Sequence, residues 1–198
     1  AIVTGGAGQL AGFLRPRGPE GWNLVFTDID ASDDANIAPL DITDLSALVK
    51  AFAGADAVVH LAGLARHGAW SELSRLNVDG TYNVLEAARL AHVRRVVYAS
   101  SNHAVGFHRR GDRPLPATIP ARPDSLYGAS KAAAESLCSV FADTHGADIV
   151  CLRIGSCTPQ PTTERELATW LSPADFLRLV QASLDAPRGR LRIVWGVS

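Results

Sequence analysis

Tyr127 and Lys131 are the residues of this chain best spaced to do chemistry. They lie in a run, Tyr127 to Phe141, whose pattern predicts a helix. Residues at i and i+4 share one helix face, so the phenol and the ammonium point the same way. A free tyrosine ionises near ~10 and is a poor base at neutral pH. A nearby ammonium favours the phenolate and lowers that value. Such a pair can take a proton from a substrate hydroxyl. The chain has three tyrosines and, among its 19 basic Lys and Arg residues, only two lysines, Lys50 and Lys131. Arginine cannot deprotonate and lacks a compact ammonium, so Lys131 points to a role arginine cannot fill.

A second group of residues sits at the start. Ala1 to Thr4 reads as a short strand running into Gly5-Gly6-Ala7-Gly8-Gln9-Leu10-Ala11-Gly12, a G-x-x-G-x-x-A pattern. Glycines here allow a tight turn and let backbone N–H groups approach a pyrophosphate. A helix predicted over Gln9 to Arg17 offers its positive end to that phosphate. Asn23 to Thr27 reads as the next strand, ending at Asp28. Asp28 follows the glycines at about the ~20-residue offset of the acid that binds an adenosine ribose. A carboxylate there repels a 2′-phosphate, and no arginine follows, which favours NAD over NADP.

These groups need elements to carry them. Ile37 to Leu40 reads as a strand ending in Asp41-Ile42, with Thr43 or Asp44 capping a helix through Phe52. Asp56 to Leu61 is a continuous apolar strand, broken at Ala62-Gly63. Glu72 to Ala91 predicts one long amphipathic helix. Arg94 to Ser101 and Asp148 to Ile154 predict strands, and Val194 to Ser198 a strand and its turn. The fold class is α/β: a Rossmann-type, doubly wound parallel sheet with helices on both faces. A single domain, 1–198, would carry its substrate-binding elements in a small C-terminal portion, 153–198. Right-handed crossovers put all strand C-terminal ends on one edge, where ligands bind. Gly5, Asp28, Gly63, Ser101 and Gly155 all fall just past strand ends. Pro114 to Pro123 reads as a surface loop.

Composition narrows the partners. A net charge of −1 gives no basic face for nucleic acid or an anionic membrane. No apolar run approaches the ~18 residues of a membrane span. Cys138, Cys151 and Cys157 have no metal-ligand spacing and form no even-numbered disulfide set, which points to a reducing cytoplasm and no metal. The chain holds no Met, and its first strand looks cut short, so both termini read as truncated.

Taken together, Gly5-x-x-Gly8, Asp28, Asp41-Ile42, Leu61-Ala62-Gly63, Asn77, Ser101 and Tyr127-x-x-x-Lys131 resemble an extended short-chain dehydrogenase/reductase. Three segments are more specific: Ala99 to His103, Arg122 to Gly128, and Arg153 to Pro159 followed by Arg165 and Thr169-Trp170. They are similar to NAD-dependent uronate dehydrogenases, which oxidise C1 of glucuronate or galacturonate to an aldarolactone. The resemblance implies a cofactor set of Gly5, Gly8, Gln9, Leu10, Asp28, Asp41, Ile42, Leu61, Ala62, Gly63, Asn77 and Ile154, joined by Tyr127 and Lys131. It implies Tyr127 as base, Lys131 as its activator and Ser101 on the reacting oxygen. Asn102, His103 and Ser156 would bind sugar hydroxyls, and Arg165 the C6 carboxylate, which its planar fork matches.

Competing readings remain at several positions. Arg165, among Thr162, Thr163, Glu164 and Glu166, could be a solvated loop charge, and His103 could cap or pack. His60 reads as a core histidine, Ser100 as a packing neighbour and Cys157 as structural. Ala65 stands where those dehydrogenases often carry a serine. The partner is a small sugar acid, and homo-oligomerisation stays open. The alternatives are a sugar-nucleotide epimerase or dehydratase and a non-catalytic dinucleotide sensor.

Overall fold

Every residue from Arg95 to Ser101 and from Asp148 to Ile154 is buried, which only strands covered on both faces allow. Alternation sorts their side chains. Val96, Tyr98, Ile149 and Cys151 belong to one apolar layer; Val97, Ala99, Val150 and Leu152 belong to the other. The computed structural model describes residues 1–31, 34–65, 68–109, 111 and 114–198.

The strands in chain order are β1 (Ile2–Thr4), β2 (Val25–Asp28), β3 (Ile37–Pro39), β4 (Ala57–His60), β5 (Arg95–Ser101), β6 (Asp148–Ile154), β7 (Ser156–Cys157), β8 (Trp170–Leu171) and β9 (Leu191–Gly196). The helices are α1 (Gln9–Leu14), α2 (Leu45–Phe52), α3 (Trp70–Leu73), α4 (Gly80–Leu90), α5 (Leu126–His145), α6 (Glu164–Thr169) and α7 (Pro173–Asp185). Seven strands form one sheet in the order β3-β2-β1-β4-β5-β6-β9. Each pairing in it is parallel. This is the doubly wound Rossmann-type sheet expected from the sequence. Leu48 and Phe52 of α2, Val84 and Leu85 of α4, and Cys138 and Phe141 of α5 cover one face. Leu14 of α1 and Phe176, Val180 and Leu184 of α7 cover the other.

Two expectations are corrected. The helix predicted from Glu72 to Ala91 is interrupted: α3 passes into a π-helical segment, Ser74–Asp79, before α4. Such segments often mark functional sites, because the extra residue re-aims a side chain; here that side chain is Asn77. The first helix stops at Leu14 instead of reaching Arg17. The portion 153–198 supplies β9 to the main sheet and α7 to the second face, while β7, α6 and β8 stand beside the strand ends. The signals for α7 were local: Ser172 caps it by accepting from Asp175 N, Pro173 opens it, and its core residues recur every fourth position. Arg95 anchors its far end, donating to the carbonyls of Ser183, Leu184 and Ala186 while paired with Asp148.

His60 is a core histidine, 1 % exposed. Thr81 Oγ1 donates to Asn77 O at 2.7 Å, so it can only accept from His60 Nε2, 3.2 Å away. Nδ1 is then the acceptor for Thr4 Oγ1 at 2.8 Å. Burial first, and the charge of Lys131 second, hold His60 down to about 3. The unfolded chain binds a proton there below ~6.5 and the folded chain does not. Stability from this group is therefore complete above about pH 6.5 and is lost as pH falls towards 3. Urea unfolding at pH 7 and pH 5 should differ by about 2 kcal/mol from this residue. His60→Gln should remove that part of the slope; an equal pH dependence in the variant would refute the assignment.

Candidate active site

The strand order reverses between β1 and β4, and the turns that leave these two strands abut. Gly5 has φ +78°, and a Cβ there would fall 2.6 Å from Ala62 N. Gly63 has φ +147°, and a Cβ there would fall 2.8 Å from Asn77 Oδ1. Only glycine permits both the dihedrals and the contact. The turns frame a cleft of about 210 Å³. Gly5 and Gly8 form one wall, Leu61, Ala62 and Gly63 another, and Asp28, Asp41 and Ile42 a third. Asp28 ties its wall to the glycine turn by accepting from Ala7 N at 3.0 Å. A backbone cradle where any Cβ would collide, closed by a carboxylate, suits the pyrophosphate and ribose of a dinucleotide.

Asn77 lines neither this cleft nor its neighbour. It is buried, accepts from Leu64 N at 2.7 Å, and donates to Leu64 O at 3.1 Å and Ser130 Oγ at 2.9 Å. Its observed work is to hold the 62–64 turn against α5.

A second cleft, of about 260 Å³, shares Leu61 and Gly63 with the first. Tyr127, Lys131 and Ser101 line it together. So do Gln9, Leu10 and Ile154 on the cofactor side, and Asn102, His103, Ser156 and Arg165 on the far side. The strand ends thus bring together nearly all the residues picked from the sequence. Gln9 also donates to Cys157 O at 3.2 Å, tying α1 to β7. Thr169 Oγ1 spends its proton on Arg165 O at 3.0 Å, so Ser156 Oγ donates to Thr169, also at 3.0 Å. Ser156 keeps a lone pair for an incoming hydroxyl.

The electrostatics differ from the sequence expectation at Tyr127. Burial pushes its phenol above the ordinary value, and a hydrogen bond with Ser101 offsets only part of that. Lys131 does not lower it here. Its ammonium lies 5.9 Å from the centre of the Tyr127 ring and 5.0 Å over Tyr98, and it donates to Ala99 O at 2.8 Å. Burial brings Lys131 itself down to about 8, against smaller upward pulls that include Glu135. Cys157 is pushed up to about 12 by burial, so it stays a thiol and the structural reading holds. Ser100 donates to Glu135 Oε1 at 2.6 Å and is likewise structural.

Two acids of the site escaped the sequence reading. Asp124 accepts from His103 Nδ1 at 2.8 and 3.0 Å through its two oxygens. Arg165 Nη2 donates to His103 Nε2 at 2.9 Å. Both ring nitrogens of His103 are therefore engaged. Glu135 receives Arg153 through both oxygens, at 2.9 and 2.8 Å, under the floor of the cleft. Asp124 stood inside a segment already singled out, three residues before Tyr127. Glu135, at i+4 from Lys131, carried the same helical spacing that linked Lys131 to Tyr127.

Residues 1–171 match the NAD dependent epimerase/dehydratase family. The chain is 39% identical over 202 residues to the uronate dehydrogenase of Agrobacterium fabrum, an alignment spanning 100% of this chain and 76% of that one. It superposes on a crystal structure of a mutant uronate dehydrogenase from Agrobacterium tumefaciens, complexed with NAD, with a TM-score of 0.90 and 38% identity. That match covers 100% of this chain and 76% of the other. A glucuronic acid dehydrogenase from Chromohalobacter salexigens gives a TM-score of 0.90 at 35% identity, with the same coverages. The geometry of the two clefts and these likenesses agree: the chain belongs to the NAD dependent epimerase/dehydratase family, and within it to the family of the uronate dehydrogenases.

Proposed function

We propose that this chain oxidises C1 of a hexuronic acid, glucuronate or galacturonate, to the aldarolactone with NAD. One observation carries the reading: a tyrosine base, its lysine, a serine and an arginine line a single cleft beside the glycine cradle. The relatives named for uronate and glucuronic acid oxidation support it.

Gly5, Gly8, Gln9, Leu10 and Ile154 would hold the dinucleotide, with Leu61 to Gly63 against its flat face and Asp28, Asp41 and Ile42 at its ribose end. Bound NAD supplies the acceptor for the C1 hydride and a positive ring charge, which favours a nearby phenolate. Tyr127 takes the proton from the C1 hydroxyl, and Ser101 holds the same oxygen. Lys131, buried and about 8, remains mostly charged at neutral pH and lines the same cleft as Tyr127 and Ser101. Asn102 and Ser156 meet sugar hydroxyls, and Arg165 meets the C6 carboxylate. Positioning of this kind contributes much of the rate. Among the described residues, no helix is long and apolar enough to cross a membrane. Three buried free cysteines support a reducing cytoplasm as the place of work.

Four measurements test the reading. NADH formation should occur with uronic acids and be far weaker with UDP-sugars; turnover of a UDP-sugar alone would favour an epimerase. Asp28 predicts a higher kcat/KM with NAD than with NADP, and Asp28→Ala should narrow that gap; an equal or higher value with NADP for the unaltered protein would defeat it. Tyr127→Phe should cost ~10²–10⁴-fold in kcat while NAD affinity survives. Retention of more than about a tenth of kcat would sink the base assignment. Arg165 is exposed in the free protein, so its charged hydrogen bond to the acid sits at the weak end of the range. Arg165→Ala should then lower the acid-to-neutral ratio of kcat/KM by about tenfold. An unchanged ratio would make Arg165 a surface charge.

A further inference from the structure

Asp124 touches neither the reacting pair nor the dinucleotide cradle, yet it is fixed with care. Ser125 Oγ donates to its Oδ1 at 3.0 Å, and its own N donates to His103 O at 3.3 Å. Gly106 makes room for it, since a Cβ there would run into the carboxylate. Burial raises the Asp124 carboxyl, but hydrogen bonds from His103 and Ser125 and the nearby Arg165 charge outweigh that and lower it. It is therefore ionised at working pH and can only accept. His103 must donate to it through Nδ1, which leaves Nε2 as a bare lone pair. Arg165 has donors only, and one of its five meets that lone pair. Among the described residues the rest meet no hydrogen-bond partner, which leaves them for a carboxylate.

We propose that Asp124 is a positioning residue for the carboxylate-reading arginine, acting through the imidazole of His103. The proposal rests on the functional reading above. An exposed arginine samples many rotamers, and a fixed acceptor narrows them. The groups facing His103 are Asp124 ahead of α5, the Tyr127 ring edge-on at 5.8 Å, Arg165 of α6, and Ser101 Oγ on its own backbone N–H. A second proton on the imidazole turns Nε2 into a donor and sets two cations against each other. The arginine then loses its anchor. Discrimination between a uronate and its neutral aldose thus depends on a neutral His103.

The test is the acid-to-neutral ratio of kcat/KM at neutral pH, with kcat and KM separated. Asp124→Asn presents either an oxygen or an NH2 to Nδ1, so the tautomer is no longer imposed. It should lower the ratio about fivefold to tenfold, the effect of one hydrogen bond, mainly through KM for the acid. Asp124→Glu should recover part of the ratio. A role in folding alone would weaken both substrates together, which overturns the proposal. Uronate turnover with an unchanged ratio in Asp124→Asn overturns the positioning role only; no uronate turnover at all overturns the functional reading itself.

Discussion

One buried ammonium constrains the catalytic half of this molecule. Lys131 is 6 % exposed, and a charge in that setting is expensive unless partners replace its water. Ala99 O, the face of Tyr98 and the carboxylate of Glu135 one turn along supply that replacement. Each partner fixes an element. Strand β5 must end where Ala99 can reach the ammonium, and α5 must lie across that end. The turn after β4 passes close by: a Cβ on Gly63 would stand 3.8 Å from Nζ, an ordinary contact, but 2.8 Å from Asn77 Oδ1, which excludes one. The two clefts share Gly63.

The second constraint lies beneath. Arg153 meets Glu135 through two nitrogens and spends the third on Ala117 O and Ile119 O. Its guanidinium carbon lies 5.9 Å from the centre of the Trp195 ring, and Trp195 in turn donates to Leu115 O. A buried ion pair adds little net stability over apolar packing, but losing one partner strands a charge. Its effect here is register: the tyrosine helix, β6, β9 and the proline-rich loop take one relative position. That loop is on the surface, as composition indicated, yet its backbone is pinned from inside.

What the sequence disclosed follows a physical line. The Tyr127–Lys131 spacing, the glycine turn, Asp28 and Asp44 as a helix cap are local patterns, and all stand in the structure. Buried strands showed as apolar runs because both their faces are covered. Features set by distant partners were not legible. The π-helical segment breaks an unbroken amphipathic pattern so that Asn77 can reach Leu64. The raised phenol of Tyr127 comes from burial, which spacing does not reveal. Asp124 and His103 lie 21 residues apart, and His103 and Arg165 62 apart.

The second cleft is also assembled from segments far apart in the chain. Gln9, beside the glycine turn, reaches Cys157, 148 residues on, and Gly155 N donates to Gly196 O. No short stretch of chain holds both walls of that cleft. A ligand that binds the folded chain and not the unfolded one stabilises it by mass action. Each tenfold excess of dinucleotide over its Kd adds about 1.4 kcal/mol to the global stability. For a protein of ordinary marginal stability, cofactor supply sets the folded fraction as well as the rate.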